Sequence, residues 1–373
     1  MKQLFCVLCV ALLLSGCSPD EPVLPNPIPA DSTKKDSTFT PTPYNLIYPT
    51  IKRNGYFRVW PRLVMPANNP LTVEGVALGK KLFFDSLLSA TNTIACASCH
   101  LQTQAFADNK RFSVGVEGRV GTRNSMPLFN LGWAEMFNQT PHRFFWDGRK
   151  ASMEDQVLGP IGDPLEMNQD LAELVIELRA KPEYPPMFKK AFGSDSITIK
   201  GLMMAIAQFE RTLISGNSKF DKYLRFEADL TEQELNGYAI YSTEGKGDCF
   251  HCHAVSPLFT DFSMRNNGLD SVVEGKGLGA ITGNPLHMGM FKTPSLRNLS
   301  FTAPYMHDGR FNTLEEVVEF YNSQTKDNPT TDAAIRKHFK EGGLNLTNKE
   351  KADLVAFLKT LNDEDFLTNP NFK

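Results

Sequence analysis

The chain carries one short pattern twice, as Cys96-Ala97-Ser98-Cys99-His100 and as Cys249-Phe250-His251-Cys252-His253. Two cysteines three positions apart, with a histidine directly after the second, form the attachment signature for c-type haem. The two thiols lie one helical turn apart and add to the vinyl groups of the porphyrin, while the histidine binds the iron from the proximal side. The repeated pattern therefore predicts two covalently bound haem c groups.

Three other uses of these cysteines explain the sequence less well. One shared zinc site would bring its two cysteine pairs within about 15–20 residues of each other, whereas about 150 residues separate these pairs. A thioredoxin-like redox pair needs a βαβ context that the sequence does not show. Disulfides from Cys96 to Cys99 and from Cys249 to Cys252 would suit an exported protein, but they would leave His100 and His253 without a role.

The N-terminus has the features of an export signal over residues 1–16. Lys2 precedes an apolar run from Leu4 to Leu14 that is too short to span a bilayer. The run ends in Leu14-Ser15-Gly16-Cys17, which resembles the lipobox of bacterial lipoproteins, where cleavage exposes a cysteine for lipid attachment. An ordinary signal peptide is the alternative. We expect a membrane anchor at Cys17 and a cell-envelope location, either facing the periplasm or in the outer membrane.

Composition fits a soluble, folded region behind a tether. Residues 18–43 contain seven Pro and seven Ser or Thr in 26 positions, so we interpret residues 17–43 as an extended, solvated tether. The whole chain has 373 residues, 41% hydrophobic content and a net charge of -3, which allows two ordinary domains. Without a long basic run there is no electrostatic basis for a nucleic-acid partner.

The chain also contains a longer internal repeat. The segment Phe145-Trp146-Asp147-Gly148-Arg149 precedes Ser152, and Met306-His307-Asp308-Gly309-Arg310 precedes Thr313, each cap followed three residues later by an acid. That arrangement predicts a turn and then a capped helix in both copies. We therefore predict a mainly α fold of two tandem cytochrome c-like haem domains, residues 44–222 and 223–373, with long loops and few short strands. Caps and apolar spacing place further helices near 170–180, 202–214, 232–242, 314–322 and 348–361.

The repeat predicts how the second face of each iron differs. Tyr321 follows Arg310 by eleven residues and continues the apolar stripe of its helix, while Pro160 follows Arg149 by the same distance. Proline cannot bind a metal. Tyr321 is therefore a candidate distal ligand of the second haem, with an open coordination position at the first. A tyrosine that only packs in the core is the alternative.

These residues resemble the bacterial di-haem cytochrome c peroxidase family, including its MauG-like branch, from about Leu78 to Leu361. The matching segments are Leu78–Asp85, both haem motifs, Arg123-Asn124, Phe144–Arg149, Gly159–Met167, Gln208–Thr212 and Thr293–Gly309.

The resemblance implies roles for several residues. The N-terminal haem would be the peroxidatic one, Gln156 and Glu166 its distal pair, and Glu166 a general acid/base for peroxide cleavage. Trp146 matches an aromatic residue that relays electrons between the haems, and the C-terminal haem would transfer electrons. A calcium site between the domains is implied at Asn124 and at the carbonyls of Thr302 and Pro304.

The sequence departs from the family pattern at two positions. Peroxidases that need reductive activation carry a loop histidine sixteen residues after the first proximal histidine, and here that residue is Val116. We therefore expect the first haem to be accessible without prior reduction. The family's usual distal methionine on the second haem is replaced by Tyr321, as in the MauG-like branch. A phenolate donor favours oxidised iron.

Three functions follow from these residues. The first is a lipid-anchored peroxidase that reduces hydrogen peroxide to water with electrons from a cytochrome c or another small redox donor. The second is a MauG-like oxidase that stores oxidising equivalents at its iron and uses them on a partner protein or an organic compound. The third is a non-catalytic electron-transfer cytochrome. We interpret the remaining candidates for iron ligation as structural residues: Met306, His307, His142, His251, His287 and His338.

Overall fold

A computed structural model describes residues 39–53, 56–138, 140–254 and 257–373 of the protein. The predicted signal peptide, Cys17 and residues 18–38 of the predicted tether lie outside the described residues. Within the described ranges, no helix is both long enough and apolar enough to cross a membrane.

The fold is mainly helical, as predicted. The helices of the first half are α1 (Val73–Phe83), α2 (Cys96–Cys99), α3 (Ala134–Phe137), α4 (Met153–Gly162), α5 (Leu171–Ala180), α6 (Tyr184–Phe192) and α7 (Ile199–Glu210). Those of the second half are α8 (Lys219–Leu224), α9 (Glu232–Ser242), α10 (Phe250–His253), α11 (Leu278–Thr282), α12 (Leu314–Glu319), α13 (Ala333–Arg336), α14 (Asn348–Lys359) and α15 (Glu364–Thr368). A π-helical turn, Phe320–Gln324, continues α12.

The strands are short, as predicted, and they form two antiparallel pairs. β1 (Thr50–Arg53) pairs with β2 (Tyr56–Val59), with Thr50 opposite Val59. β3 (Met264–Arg265) pairs with β4 (Phe291–Lys292), with Met264 opposite Lys292.

The predicted caps hold the helices that follow the repeated turns. Ser152 accepts a hydrogen bond from the backbone N–H of Asp155 at the start of α4. Thr313 and Glu316 form a complete capping box at α12, and Thr347 forms another with Glu350 at α14. Each cap satisfies N–H groups that the first helical turn leaves without an intrahelical partner.

The same helix crossing occurs in both halves. A Cβ atom added to Gly79 on α1 would lie 1.8 Å from the carbonyl oxygen of Ala205 on α7. A Cβ atom added to Gly237 on α9 would lie 1.9 Å from the carbonyl oxygen of Asp353 on α14. Only glycine permits such close approach of two helix backbones. The internal repeat is therefore structural, with α1 and α7 corresponding to α9 and α14.

Each half of the chain has its own large hydrophobic core. The first surrounds the α1–α7 crossing and the second surrounds the α9–α14 crossing. Phe366 and Phe372 depart from this order, because they pack in the first core although they follow the second core in sequence. The proposed domain boundary at residues 222 and 223 remains a prediction, and the described residues from 39 onward belong to a single compact unit.

The end of the predicted tether does not behave as a free, solvated segment. The backbone N–H and hydroxyl of Thr42 donate to the Glu74 carboxylate at 3.0 and 2.8 Å. Pro43 forms a β-bridge with Thr72. These contacts attach residues 42 and 43 to the start of α1, because Glu74 lies in its first turn and Thr72 is its N-cap.

Candidate functional site

The first haem motif presents its histidine in a form that can bind iron. Cys96–Cys99 form the single turn α2, and His100 follows directly. The His100 Nδ1 atom lies 2.9 Å from the Phe106 carbonyl oxygen. Because a carbonyl only accepts, Nδ1 carries the proton and Nε2 keeps its lone pair. Burial also lowers the pKa of His100, which favours the neutral imidazole that metals require.

The second motif repeats this arrangement on a different carbonyl. Phe250–His253 form α10, and the His253 Nδ1 atom lies 3.1 Å from the carbonyl oxygen of Pro294. Burial lowers the pKa of His253 to about 4, so its ring is neutral at physiological pH. Both predicted proximal histidines therefore have Nε2 available for iron.

The thiols of both motifs are free and are directed to the same cavities as the histidines. Cys96, Cys99, Cys249 and Cys252 are free thiols in this structure, as attachment to a porphyrin requires. Burial raises the pKa of Cys249 to about 12 and that of Cys252 to about 11, so these thiols are protonated at neutral pH. Burial raises the pKa of Cys96 as well.

The first cavity brings together the residues predicted for the peroxidatic site. Its volume is about 430 Å³, and its lining includes Cys96, Cys99, His100, Gln156 and Glu166. Gln156 comes from α4, and Glu166 from the loop that follows this helix. Burial, and secondarily the charge of Asp163, raise the pKa of Glu166. A carboxyl group with a raised pKa beside a neutral histidine suits proton transfer at a reactive centre.

Two backbone contacts hold the Glu166 segment against the loop that carries Val116. The Val116 N–H donates to the Glu166 carbonyl oxygen at 2.8 Å, and the Val116 side chain is buried. A Cβ atom added to the neighbouring Gly115 would lie 2.3 Å from the same oxygen. The residue at position 116 therefore packs inside the protein and fixes the backbone of the candidate acid.

The second cavity contains the predicted distal ligand of the second iron. Its volume is about 220 Å³, and its lining includes Cys249, Cys252, His253 and Tyr321. Tyr321 lies in the π-helical turn after α12, a type of distortion that is frequent at functional sites. Its hydroxyl accepts a hydrogen bond from Asn267 Nδ2 at 3.0 Å. Burial raises the pKa of Tyr321 to about 12, and the Asn267 amide opposes that shift.

Pro160 and Tyr321 occupy corresponding positions in the repeat, and each lines the cavity of its own half. Pro160 lies near the end of α4 and borders the first cavity, where it offers no donor atom to a metal.

Met306 and His307 line the second cavity as well. The Met306 Sδ atom lies 3.5 Å from Asn267 Nδ2, and the His307 ring stacks on Phe291 with centroids 3.6 Å apart. The structural role of Met306 and His307 stays a prediction.

Trp146 lines both cavities, which is the position expected of a residue that relays electrons. Its indole Nε1 donates to the Asn124 carbonyl oxygen at 2.8 Å, and its own carbonyl accepts from the Lys292 N–H at 2.8 Å. Asn124 and Lys292 also border both cavities. The tryptophan is therefore fixed between two residues that reach both sites.

Sequence reasoning missed Lys292. Its side chain is 3% exposed, and its Nζ lies 5.2 and 5.1 Å from the ring centroids of Phe144 and Phe262. Burial lowers the pKa of Lys292 to about 7, and among the described residues no carboxylate forms an ion pair with it. A buried amine beside two haem cavities is suited to the carboxylates that a haem carries. No spacing in the sequence distinguishes this lysine from a surface lysine.

The three residues predicted to bind calcium all line the second cavity: Asn124, Thr302 and Pro304. The Asn124 Nδ2 atom donates to the Lys110 carbonyl oxygen at 3.1 Å, which leaves Oδ1 available to a cation. Among the described residues, no group of three or more His, Cys, Asp or Glu side chains is arranged to hold a metal. An ion at this place would therefore depend on neutral oxygen ligands and water.

Comparison with known proteins agrees with this geometry. The model of the family described as "Di-haem cytochrome c peroxidase" matches residues 73–229. The chain is 36% identical over 297 residues to the methylamine utilization protein MauG of Methylophilus methylotrophus, which covers 79% of this chain and 84% of that protein. The chain belongs to the di-haem cytochrome c peroxidase family, in its MauG-like branch.

Two further relatives align with most of this chain. It is 35% identical over 328 residues to the cytochrome c551 peroxidase of Nitrosomonas europaea, with 83% of this chain and 88% of that protein covered. A crystal structure of a MauG-like protein associated with microbial copper homeostasis has a TM-score of 0.74 and 34% identity, covering 84% of this chain and 96% of that chain. The family implies two haem c groups, and the cavities with their free thiols and oriented histidines fit them.

Proposed function

We propose that this protein reduces hydrogen peroxide to water with electrons from a small redox donor such as a cytochrome c. The observation that carries the proposal is the lining of the first cavity, where Gln156 and Glu166 border the same space as His100. Pro160 borders this space at the position that Tyr321 occupies in the other half. The first cavity therefore has no donor side chain at the position of Pro160 and leaves room for a small ligand, and peroxide is the substrate that the two polar side chains suit.

Each residue of the first cavity has a distinct task in this reaction. Haem, when bound through Cys96, Cys99 and His100, supplies the electrons that cleave the oxygen–oxygen bond. Glu166 takes a proton from one peroxide oxygen and returns it to the departing oxygen, a task for which its raised pKa suits it. Gln156 orients the substrate through its amide. Hydrogen peroxide, two protons and two electrons give two water molecules.

Electrons reach the first site from the second half of the molecule in this proposal. Cys249, Cys252 and His253 would hold the second haem, which would supply the electron-transfer centre for the donor protein, and Trp146 lines both cavities. Tyr321, which lines the second cavity, would bind the iron of the second haem. Val116 makes prior reduction unnecessary, because valine has no imidazole that could bind the first iron.

One observation favours a second candidate function. Tyr321 lines the second cavity with an amide donor on its hydroxyl, and curated relatives of this chain are named MauG. In the MauG-like function, the electrons that reduce peroxide come from the oxidation of a partner protein or an organic compound, and not from a reduced cytochrome. The same cavity residues take part, and only the source of the electrons differs.

Turnover with a reduced cytochrome c distinguishes these functions. The haem-loaded ferric protein is mixed with hydrogen peroxide and reduced cytochrome c, and we expect two cytochromes to be oxidised per peroxide. Glu166→Gln should lower the rate about 10²- to 10⁴-fold, the usual contribution of a general acid/base. Glu173→Gln, on the exposed surface of α5, is the matched control and should keep the full rate.

Other outcomes of that experiment contradict the peroxidase proposal. A long-lived optical change with peroxide and poor turnover of cytochrome c would favour the MauG-like function. Electron paramagnetic resonance of the resting ferric protein tests the non-catalytic alternative, since the open first site predicts a high-spin signal. Two low-spin haems and no reaction with peroxide would indicate an electron-transfer cytochrome.

A calcium ion and a membrane anchor are further parts of the proposal. Asn124 and the carbonyls of Thr302 and Pro304 would hold the calcium ion, and a chelator should then lower the melting temperature of the wild-type protein but not that of Asn124→Leu. Lipid attachment at Cys17 would place the protein at a membrane of the cell envelope. Cys17→Ala should then move the protein from the membrane fraction to the soluble fraction.

A further inference from the structure

Glu210 is a buried acid in the first cavity that the proposed reaction does not use. It is the last residue of α7, it is 5% exposed, and it borders the cavity together with Cys96 and Ile206. Its Oε2 atom is buried and has no hydrogen-bond partner among the described residues. Burying a carboxyl group without a partner costs free energy, so its presence calls for an explanation.

The neighbouring arginine does not neutralise this acid. Arg211 directs its guanidinium to two other carboxylates, at 2.7 Å from Glu154 Oε1 and 3.1 Å from Glu135 Oε2. Both terminal nitrogens of the Arg211 guanidinium are engaged by these two carboxylates. Glu210 remains outside this ion-pair network and borders the haem cavity instead.

The internal repeat shows that this acid is specific to the first half. At the two equivalent helix crossings, Gly79 contacts Ala205 of α7 and Gly237 contacts Asp353 of α14. Ala205 and Asp353 therefore occupy the same place in the two halves, and each residue of α7 corresponds to the residue of α14 that lies 148 positions later in the sequence. Ile206 then corresponds to Leu354, and Glu210 corresponds to Leu358. Both leucines line the second cavity. The electron-transfer site therefore has an apolar side chain where the peroxidatic site has a carboxyl group.

The charge state of Glu210 follows from its surroundings. Burial raises the pKa of Glu210 to about 8, with a smaller raising effect from Glu154 and an opposing effect from Arg211. The buried residues of α1 carry no charge, and α6 contributes the Tyr184 hydroxyl, which is bonded to Asp85. Glu166 borders the same cavity. Glu210 is therefore protonated at neutral pH and close to its titration range.

We propose that Glu210 is a proton-binding residue coupled to the charge of the first haem. At a pH near or above 8, where part of Glu210 is ionised, the negative charge of an electron that enters the first site favours protonation of the Glu210 carboxylate by a proton from solvent. When the site loses an electron, the same proton leaves. One proton thus accompanies one electron, because charges in a buried site interact strongly. This role requires the first haem but does not depend on peroxidase activity.

A redox titration of the haem-loaded protein tests this coupling without peroxide. The midpoint potential of the first haem is measured optically, with chemical mediators, from below to above pH 8. In the wild-type protein it should become more negative with rising pH, with a slope of up to about 59 mV per pH unit, the value for one proton per electron. Glu210→Gln should remove this slope, while the second haem keeps the same pH response as in the wild-type protein.

Two further variants make the result decisive. Glu210→Leu, which introduces the residue found at the corresponding place in the second cavity, should remove the slope as well and serves if the glutamine variant folds poorly. Glu173→Gln, an exposed acid on α5, should keep it. A wild-type potential that does not change with pH would overturn the proposal. So would a slope that persists in both Glu210 variants, or one that disappears only in Glu166→Gln.

Discussion

The close approach of α1 and α7 at Gly79 should make Gly79→Ala one of the most damaging small substitutions in the first half. The new Cβ would lie 1.8 Å from the Ala205 carbonyl oxygen, and since ordinary contact begins at 3.4 Å, the shortfall is about 1.6 Å. The obstructing atom is helix backbone, so no side-chain rotation can relieve the clash. Overpacking costs about 1–3 kcal/mol, and we expect about 3 kcal/mol because two helices must separate.

Urea unfolding of the haem-loaded protein, followed by far-ultraviolet circular dichroism, measures this loss as a lower transition midpoint. Gly162→Ala is the matched control, because Gly162 ends α4 on the surface and its new Cβ would meet nothing within 4 Å. That variant should be neutral or gain up to about 1 kcal/mol. If Gly79→Ala kept the wild-type midpoint, the inference that this crossing is fixed by backbone contact would be wrong.

Three further substitutions test the core and the second cavity. Asp221→Asn should cost about 3–5 kcal/mol in urea unfolding, because it removes the charge that faces the fully buried Arg297 at 2.7 Å, and an unchanged midpoint would contradict this. Arg297 also lowers the pKa of Asp221, so the wild-type protein should lose this stability as the pH falls below the ordinary value of 3.8, and the variant should show a weaker acid transition. Tyr321→Phe should remove the distal ligand of the second haem and change its optical and paramagnetic spectra, and unchanged spectra would exclude Tyr321 as a ligand. Asn267→Ala should make the midpoint potential of the second haem more negative, since the phenolate loses a hydrogen-bond donor and binds oxidised iron more strongly, whereas an unchanged potential would show that the amide has no such effect.

The parts of the site that the sequence predicted are those that depend on local spacing. A haem motif needs its cysteines and histidine within one turn, so Cys96 and His100 could be found directly. Capping boxes are equally local, and the one at Thr313 located α12. The prediction of Tyr321 as a distal ligand came from the internal repeat, which allowed Tyr321 to be compared with Pro160, and from the family resemblance. The helix predicted near 202–214 is Ile199–Glu210, since its Thr198 cap starts it earlier.

Residues whose role comes from tertiary packing could not be predicted in this way. Lys292 and Glu210 look like ordinary charged residues in the sequence, and only their burial beside the cavities distinguishes them. The same holds for α6, Tyr184–Phe192, whose two prolines after Tyr184 suggest an interruption. Proline is tolerated in the first turn of a helix, where its missing N–H has no intrahelical partner to lose.

The two halves show how one scaffold can support two kinds of haem chemistry. Their shared features are the helix crossing at Gly79 and Gly237 and a proximal histidine held by a backbone carbonyl. Their differences lie on the helices after the repeated turns, where the first half has Pro160 and the second half has Tyr321. They lie also on the crossing helices, where the first half has Glu210 and the second half has Leu358. In the function proposed above, the first difference would leave an iron face open and the second would provide a buried proton site. Both changes would then act in the same direction, because a peroxidatic site must admit a substrate and exchange protons, whereas an electron-transfer site needs neither.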